Sequence, residues 1–434
     1  MAEAHAVSLG ATLPFWSIAP FALMLLGIAL LPLRWPHFWE SNANKGIVSA
    51  VLGAPVALYV ATHDPHLLWH TTLEYVSFIA LLGALFTISG GIVLRGDLRA
   101  TPAINTTFLA VGALLANFIG TTGASMLLIR PLLQTNSERK HVGHIPLLFI
   151  FVVSNCAGLL TPLGDPPLFL GYLRGVPFFW TLRLVPEWIF VVSVLLGIFY
   201  VMDARAVAKE SAADLRRDVE RLVPLHLAGT MNALYLLGVV LAVLISPSLP
   251  EGPVREGVRL GVMAAMTVLS LATTPQALRK ENGFTFGPII EVAVLFAGIF
   301  ATMIPALEIL RVHGAEFGIR APWQFFWLSG SLSSFLDNAP TYLTFVSLAQ
   351  SLGPGADAAV HLSGGPVSAT LLTAISAGSV LMGANSYIGN GPNFMVKAIA
   401  EEQGVAMPSF GGYMLWSGSI LIPIFVAMTF LFFI

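Results

Sequence analysis

The chain has 434 residues, of which 56% are apolar and 10% charged, with a formal net charge of −2 and a mean hydropathy of +0.81. Average globular proteins carry roughly 25% charged residues, so this composition excludes a soluble fold and specifies an integral membrane protein. With 21 Lys and Arg against 23 Asp and Glu and no basic tract, nucleic acid is excluded as a partner, and the lone Cys156 excludes an internal disulfide or a thiolate cluster.

A spanning helix needs about 20 mostly apolar residues. Runs of that quality fall at 13–33, 46–62, 73–94, 145–172, 186–202, 231–247, 257–274, 288–310, 367–400 and 412–434, predicting about ten transmembrane helices in an all-α polytopic fold. The first run follows no basic segment and ends in no small-residue cleavage site, so it reads as a span and not as a removed signal peptide.

Two further stretches, 104–134 and 322–350, are long enough to enter the bilayer and turn back. Their middles carry Gly120-Thr121-Thr122-Gly123 and Ser333-Ser334-Phe335-Leu336-Asp337-Asn338-Ala339-Pro340-Thr341, which predict the tips of re-entrant helical hairpins. Two spans are also interrupted. The 145–172 run contains Thr161-Pro162-Leu163-Gly164-Asp165-Pro166-Pro167, and the 367–400 run contains Gly389-Asn390-Gly391-Pro392-Asn393. Proline removes an amide donor and glycine permits unusual dihedrals, so both helices should unwind there. Unwound backbone at membrane depth persists only where it is buried in protein or lines a cavity.

The breaks are spaced as a repeat. Gly120 and Asp337 lie 217 positions apart (337 − 120), as do Phe118 and Phe335 and the acids Glu74 and Glu291, and 217 is half of 434. Each half holds three spans, a hairpin, a broken span and a last span. Five crossings are an odd number, so the second half must be inverted relative to the first. The expected organisation is a first inverted repeat over 1–203, a cytoplasmic linker over 204–229 and a second repeat over 230–434. Within the linker, Ala204–Arg221 alternates charge at helical spacing and reads as a solvated helix joining the halves.

The connections at 34–45, 95–103, 130–144, 203–229, 275–287 and 397–411 share one side and hold 15 of the 21 basic residues. The positive-inside rule makes that side cytoplasmic and places both termini outside, in a bacterial-type inner (plasma) membrane.

Ionisable groups at membrane depth are costly unless paired or hydrated, which makes them functional candidates by default. Asp165 and Asp337 fall at breaks, one in each half. Around Asp165 stand Asn155, Ser154 and Thr161, with Thr121, Thr122 and Ser125 from the first hairpin; around Asp337 stand Ser333, Ser334, Asn338 and Thr341, with Asn385, Ser386, Asn390 and Asn393 from the second broken span. Carboxylate, amide, hydroxyl and freed carbonyl oxygens suit a hard cation such as sodium, held at Asp165 and Asp337. The same carboxylates can take a proton, so protons and small cations are the expected partners alongside lipid. Asp and Asn before proline also cap helices in ordinary turns.

Glu74 and Glu291 start their predicted spans, where they either serve a proton pathway or stabilise a helix N-terminus. Lys397 and Arg130 either neutralise an anionic substrate or snorkel to the cytoplasmic face. His141 and His144 lie at the cytoplasmic rim, and Cys156 reads as an apolar filler. No metal-spaced His/Glu pair, nucleophile elbow or phosphate-cradling loop is present, so neither an enzyme nor a resident cofactor is expected.

Leu160-Thr161-Pro162-Leu163-Gly164-Asp165-Pro166-Pro167, the Asp337-Asn338-Ala339-Pro340-Thr341 tip and the Gly389-Asn390-Gly391-Pro392-Asn393 break resemble the ion transporter superfamily. Within it they are most similar to NhaD-type sodium/proton antiporters and the related CitMHS-like citrate transporters. The resemblance implies a homodimer whose protomers each have a scaffold domain and a transport domain moving in elevator fashion. It also implies cation or proton binding at Asp165, Asp337, Asn338 and Asn390. One position departs: the antiporters carry an Asp-Asn pair at the first hairpin tip, where this chain has Gly120-Thr121. The expected activity is sodium (or lithium)/proton exchange. The alternative is cation-coupled transport of a citrate-like carboxylate or another oxyanion, held at half-helix N-termini near Pro166 and Pro392.

Overall fold

A computed structural model describes residues 9–211, 222–250 and 252–434. Among these, nine helices are long and apolar enough to cross a membrane: Phe15–Pro32, Asn42–His63, Pro65–Ser89, Pro102–Thr135, Phe178–Val207, Met231–Ser248, Pro253–Thr273, Gly287–Phe317 and Phe410–Phe432. Eight are expected spans and the ninth is the first hairpin. The two interrupted spans are split into shorter helices, so the chain is an all-α polytopic membrane protein.

The first hairpin runs as helix from Pro102 to Thr135 except at Gly120, whose φ of 75° and ψ of 156° reverse the chain. Glycine alone adopts such backbone without strain. Both ends return to one place, because Asn105 and Asn136 each donate a side-chain amide N–H to the other's carbonyl at 2.9 Å. The second hairpin pairs Pro322–Ser333 with Asn338–Leu352, and the rings of Phe325 and Phe345 meet edge-on between its arms, 6.3 Å apart.

Small residues bring two long helices close together. Helix Asn42–His63 lies so near Gly287–His313 that a Cβ on Gly298 would stand 2.7 Å from the Ser49 Cβ. Without a hydrophobic drive between helices in lipid, close packing of this kind supplies the association. Phe78 and Phe296, stacked 4.8 Å apart, attach helix Pro65–Ser89 to the same framework.

Two expectations change. The span placed at 73–94 starts at Pro65, because the Asp64 carboxylate accepts the Leu67 amide at 2.9 Å and proline is preorganised for the first helical position. Glu74 therefore lies in the third turn of its helix and cannot stabilise the N-terminus. Helix Val185–Val207 ends inside the helix expected over Ala204–Arg221, residues 208–211 are not helical, and past it strand Val223–Ala228 pairs antiparallel with Val93–Asp97. Residues 212–221 of the helix expected over Ala204–Arg221 lie outside the described residues. The glycine-rich 351–366 connection holds a small ribbon, Ala359–Leu362 against Gly365–Ser368.

Candidate functional site

The two broken segments share one local geometry. In the first, helix His144–Val152 and the turn Cys156–Leu159 lead to Asp165, an extended residue (φ −144°, ψ 147°) before helix Pro166–Leu173. In the second, helix Ala369–Leu381 and the turn Met382–Asn385 lead to Asn390 (φ −153°, ψ 141°) before helix Gly391–Glu402. Each loop crosses its own backbone at a glycine pair. A Cβ on Gly164 would fall 2.3 Å from the Gly158 carbonyl oxygen, and one on Gly389 would fall 2.5 Å from that of Gly383. No other residue fits either crossing.

All four breaks converge on Asp165. Its Oδ1 accepts the Thr121 hydroxyl at 2.9 Å from the first hairpin tip and the Asn390 amide at 3.0 Å from the second broken segment. Its Oδ2 accepts the Asn338 amide from the second hairpin tip. The Thr121 backbone N–H also reaches the Gly164 carbonyl at 2.9 Å. The side chain is almost fully buried.

Asp337 behaves differently. It is only half-buried, and its Oδ1 accepts the Ala339 amide at 3.0 Å, capping its own helix. Thr341 donates to the Asp337 carbonyl in the same turn.

Around this centre, Asn155 donates to the Asn393 side-chain oxygen at 2.7 Å, Asn390 reaches the Ser154 carbonyl, and Asn393 ties the Gly383 and Ser386 carbonyls. Ser154 shares a hydrogen with Ser125 at 2.8 Å. Ser333 donates to the Ser379 carbonyl, Ser334 to that of Met382, and Asn385 to the Ser334 hydroxyl. Thr161 bonds back to the Asn117 carbonyl, while Asn117 Oδ1 accepts the Leu160 amide. Two buried amide oxygens, Asn155 Oδ1 and Asn385 Oδ1, have no hydrogen-bond donor among the described residues. Buried acceptors are normally paired, and a cation satisfies an acceptor as well as a donor does.

A cavity of about 150 Å³ adjoins Asp165. Thr121 and Thr122 line it, with Pro166 and Gly391 at the starts of the two half-helices and an apolar wall from Leu81 to Phe86 and Pro288 to Val292. No lysine or arginine lines it among the described residues. Lys397 instead pairs with Glu401 at 2.8 Å over the Tyr387 ring, and Arg130 reaches Glu402 and the Asn282 carbonyl. Glu291 pairs with the buried Lys45 at 2.8 Å. Cys156 is buried in the core.

The cavity lies toward the Ser89 end of helix Pro65–Ser89, and contacts between helices cross the opposite end. There Arg174, just past helix Pro166–Leu173, pairs with Glu74 at 3.0 Å, and the Tyr172 hydroxyl donates to the Val243 carbonyl at 2.7 Å beside the Ser246 hydroxyl.

Sequence reasoning missed Asn117, Tyr172, Arg174 and a buried network at the first hairpin's mouth. In that network Arg139 donates to Asp203 at 2.6 Å, His144 Nε2 lies 3.0 Å from the same carboxylate, and Asn105 donates to its other oxygen at 2.8 Å. The only sequence signal was an acid, Asp203, near the end of a largely apolar helix.

A family model described as "Putative citrate transport" matches residues 10–433. A search of curated proteins finds no match. With the model covering nearly the whole chain, and with motif, helix content and broken segments in accord, the chain belongs to this CitMHS-type family of transporters.

Proposed function

We propose that the protein is a cation-coupled carrier of citrate-like carboxylates that works by alternating access. The observation that carries this reading is a buried carboxylate, Asp165, held by side chains from the three other breaks and set beside a cavity with no basic residue among its described lining. An anion entering such a cavity needs its charge offset, and a cation bound at the site does so where no Lys or Arg is at hand. The Thr122 hydroxyl offers a donor to the anion, and the starts of Pro166–Leu173 and Gly391–Glu402 offer the positive ends of their helix dipoles. Asp165, with the unpaired oxygens of Asn155 and Asn385 nearby in the two broken segments, offers ligands to sodium or a proton.

The matched glycine crossings and the equivalent Asp165 and Asn390 support two inverted repeats over 1–203 and 230–434. In the proposed cycle the hairpins and broken segments move together against a scaffold that contains helices Asn42–His63, Pro65–Ser89 and Gly287–Phe317. With the positive-rich side cytoplasmic and the termini outside, the open cavity and the Arg174–Glu74 closure correspond to an inward-open state. The assembly is a homodimer in a bacterial-type inner membrane.

The reading is tested by uptake of labelled citrate into proteoliposomes under separate sodium and proton gradients. Uptake driven by either gradient, and lost in Asp165→Asn, is expected. Sodium/proton exchange, the second reading, is favoured by the presence of two acids at the breaks. Sodium-driven proton release with no carboxylate uptake, and no thermal stabilisation by citrate, would replace carboxylate transport with exchange.

A further inference from the structure

At the mouth of the first hairpin, about 310 Å³ of space opens between the start of helix His144–Val152 and the last turn of Val185–Val207. Its ionisable lining is of basic residue types only: His141, His144, Arg205 and Lys209. The acids nearby are turned away and occupied. Asp203 is wholly buried and already accepts Arg139, Asn105 and His144, while the Glu210 carboxylate accepts the backbone amides of Lys140 and His141. Each histidine spends one ring nitrogen on these acids, His144 its Nε2 on Asp203 and His141 its Nδ1 on Glu210, at 3.0 and 3.2 Å. The other ring nitrogen stays available. Arg205 and Lys209 have no acidic partner among the described residues.

Two carboxylates orient two imidazoles, and two unpaired cations share the opening with them. Such a cluster has like charges facing one space and gains most from an oxyanion that draws several of them together. Arginine presents a planar fork that matches a phosphate in two hydrogen bonds.

We propose that this pocket is a second ligand site, separate from the transport cavity, that binds a phosphate group through Arg205, Lys209 and the two histidines. The phosphate comes either from inorganic phosphate in solution or from an anionic lipid headgroup at the bilayer edge. Because Asp203 joins the pocket to Arg139 and Asn105, an occupant fastens helix Val185–Val207 to the first arm of the first hairpin and to the segment just after its second arm. The inference does not depend on the transported substrate.

The test is thermal unfolding of the full chain in neutral detergent with inorganic phosphate, against chloride at matched ionic strength. It is repeated in vesicles of phosphatidylglycerol and of phosphatidylcholine. Stabilisation by phosphate, or by the anionic vesicles alone, is expected. It should be lost in Arg205→Ala/Lys209→Ala and kept in Arg320→Ala and Asp165→Asn; both targeted side chains are exposed, so the double variant folds. Phosphate alone active assigns the free ion, and vesicles alone active assigns the headgroup. Equal stabilisation by chloride and by phosphatidylcholine, or stabilisation that survives the double variant, overturns the proposal.

Discussion

The two hairpin tips meet the same carboxylate by different means. The first tip reverses at Gly120 and holds Asp165 through the Thr121 hydroxyl, while its backbone N–H grips the Gly164 carbonyl. The second tip carries its own acid, yet Asp337 turns back to cap its helix and leaves Asn338 to reach Asp165. A repeat that looks two-fold in sequence thus has one shared carboxylate, supported by neutral donors from both sides. The difference teaches that an acid at a break is not a ligand until its partners are known.

The sharpest way to break this comparison is to neutralise each acid in turn. Asp165→Asn replaces an acceptor of three bonds with a group that also donates, and bonds to charged groups contribute about 1.5–3 kcal/mol each. Citrate uptake in proteoliposomes should fall by roughly 100-fold or more, the equivalent of losing two such bonds. Asp337→Asn keeps a good helix cap, and caps of this kind differ little among themselves; uptake should fall only a few-fold. Equal losses in the two variants would show that both acids share the work. Next in size is Asn338→Ala, which removes one of three donors; about a 10-fold loss is expected, since one charged bond is of that order.

Gly120→Ala tests the tip by stability and not by transport. Its φ of 75° and ψ of 156° cost a side chain about 1–3 kcal/mol, and the new Cβ would sit 3.4 Å from the Leu163 carbonyl. Thermal unfolding should drop by several degrees, whereas Gly143→Ala, with open space around it, should leave the midpoint unchanged.

The smallest effect lies far from the tips, at the exposed Arg95–Glu281 pair, 2.7 Å apart. The hydrogen bond and charge of Arg95 hold the Glu281 carboxyl below its ordinary range. A lowered acid stabilises above its unfolded pKa, near 4.3 for glutamate, and that contribution fades as pH falls through the lower folded value. Arg95→Ala should therefore shift the midpoint slightly at pH 7 and not at all in strong acid.

Much of the fold was legible because breaks in a membrane protein cannot hide. Prolines 162, 166, 167 and 392 and their glycines interrupt apolar runs where lipid would otherwise demand continuous helix. The tip at Gly120 followed from the same logic. What stayed hidden depends on pairing across distance. Arg139 with Asp203 and Arg174 with Glu74 join residues 64 and 100 positions apart, and periodicity carries no trace of a contact between separate helices. The early start of helix Pro65–Ser89 was masked by its polar first turns, His66, His70, Thr71 and Thr72, which lower the local hydropathy without opposing helix. Lys397 and Arg130 were ambiguous for a related reason: a long cationic stem reaches either way, and Glu401 and Glu402 decide the direction.

The convergence on Asp165 also orders events during synthesis. Thr121 precedes it on the chain, but Asn338 and Asn390 follow it by 173 and 225 positions. Until the final quarter of the protein has left the ribosome, the first half holds a carboxylate with one of its three partners, and a buried acid in that condition is costly. The first half has every reason to stay loosely packed, and the last broken segment acts as the keystone that lets it close.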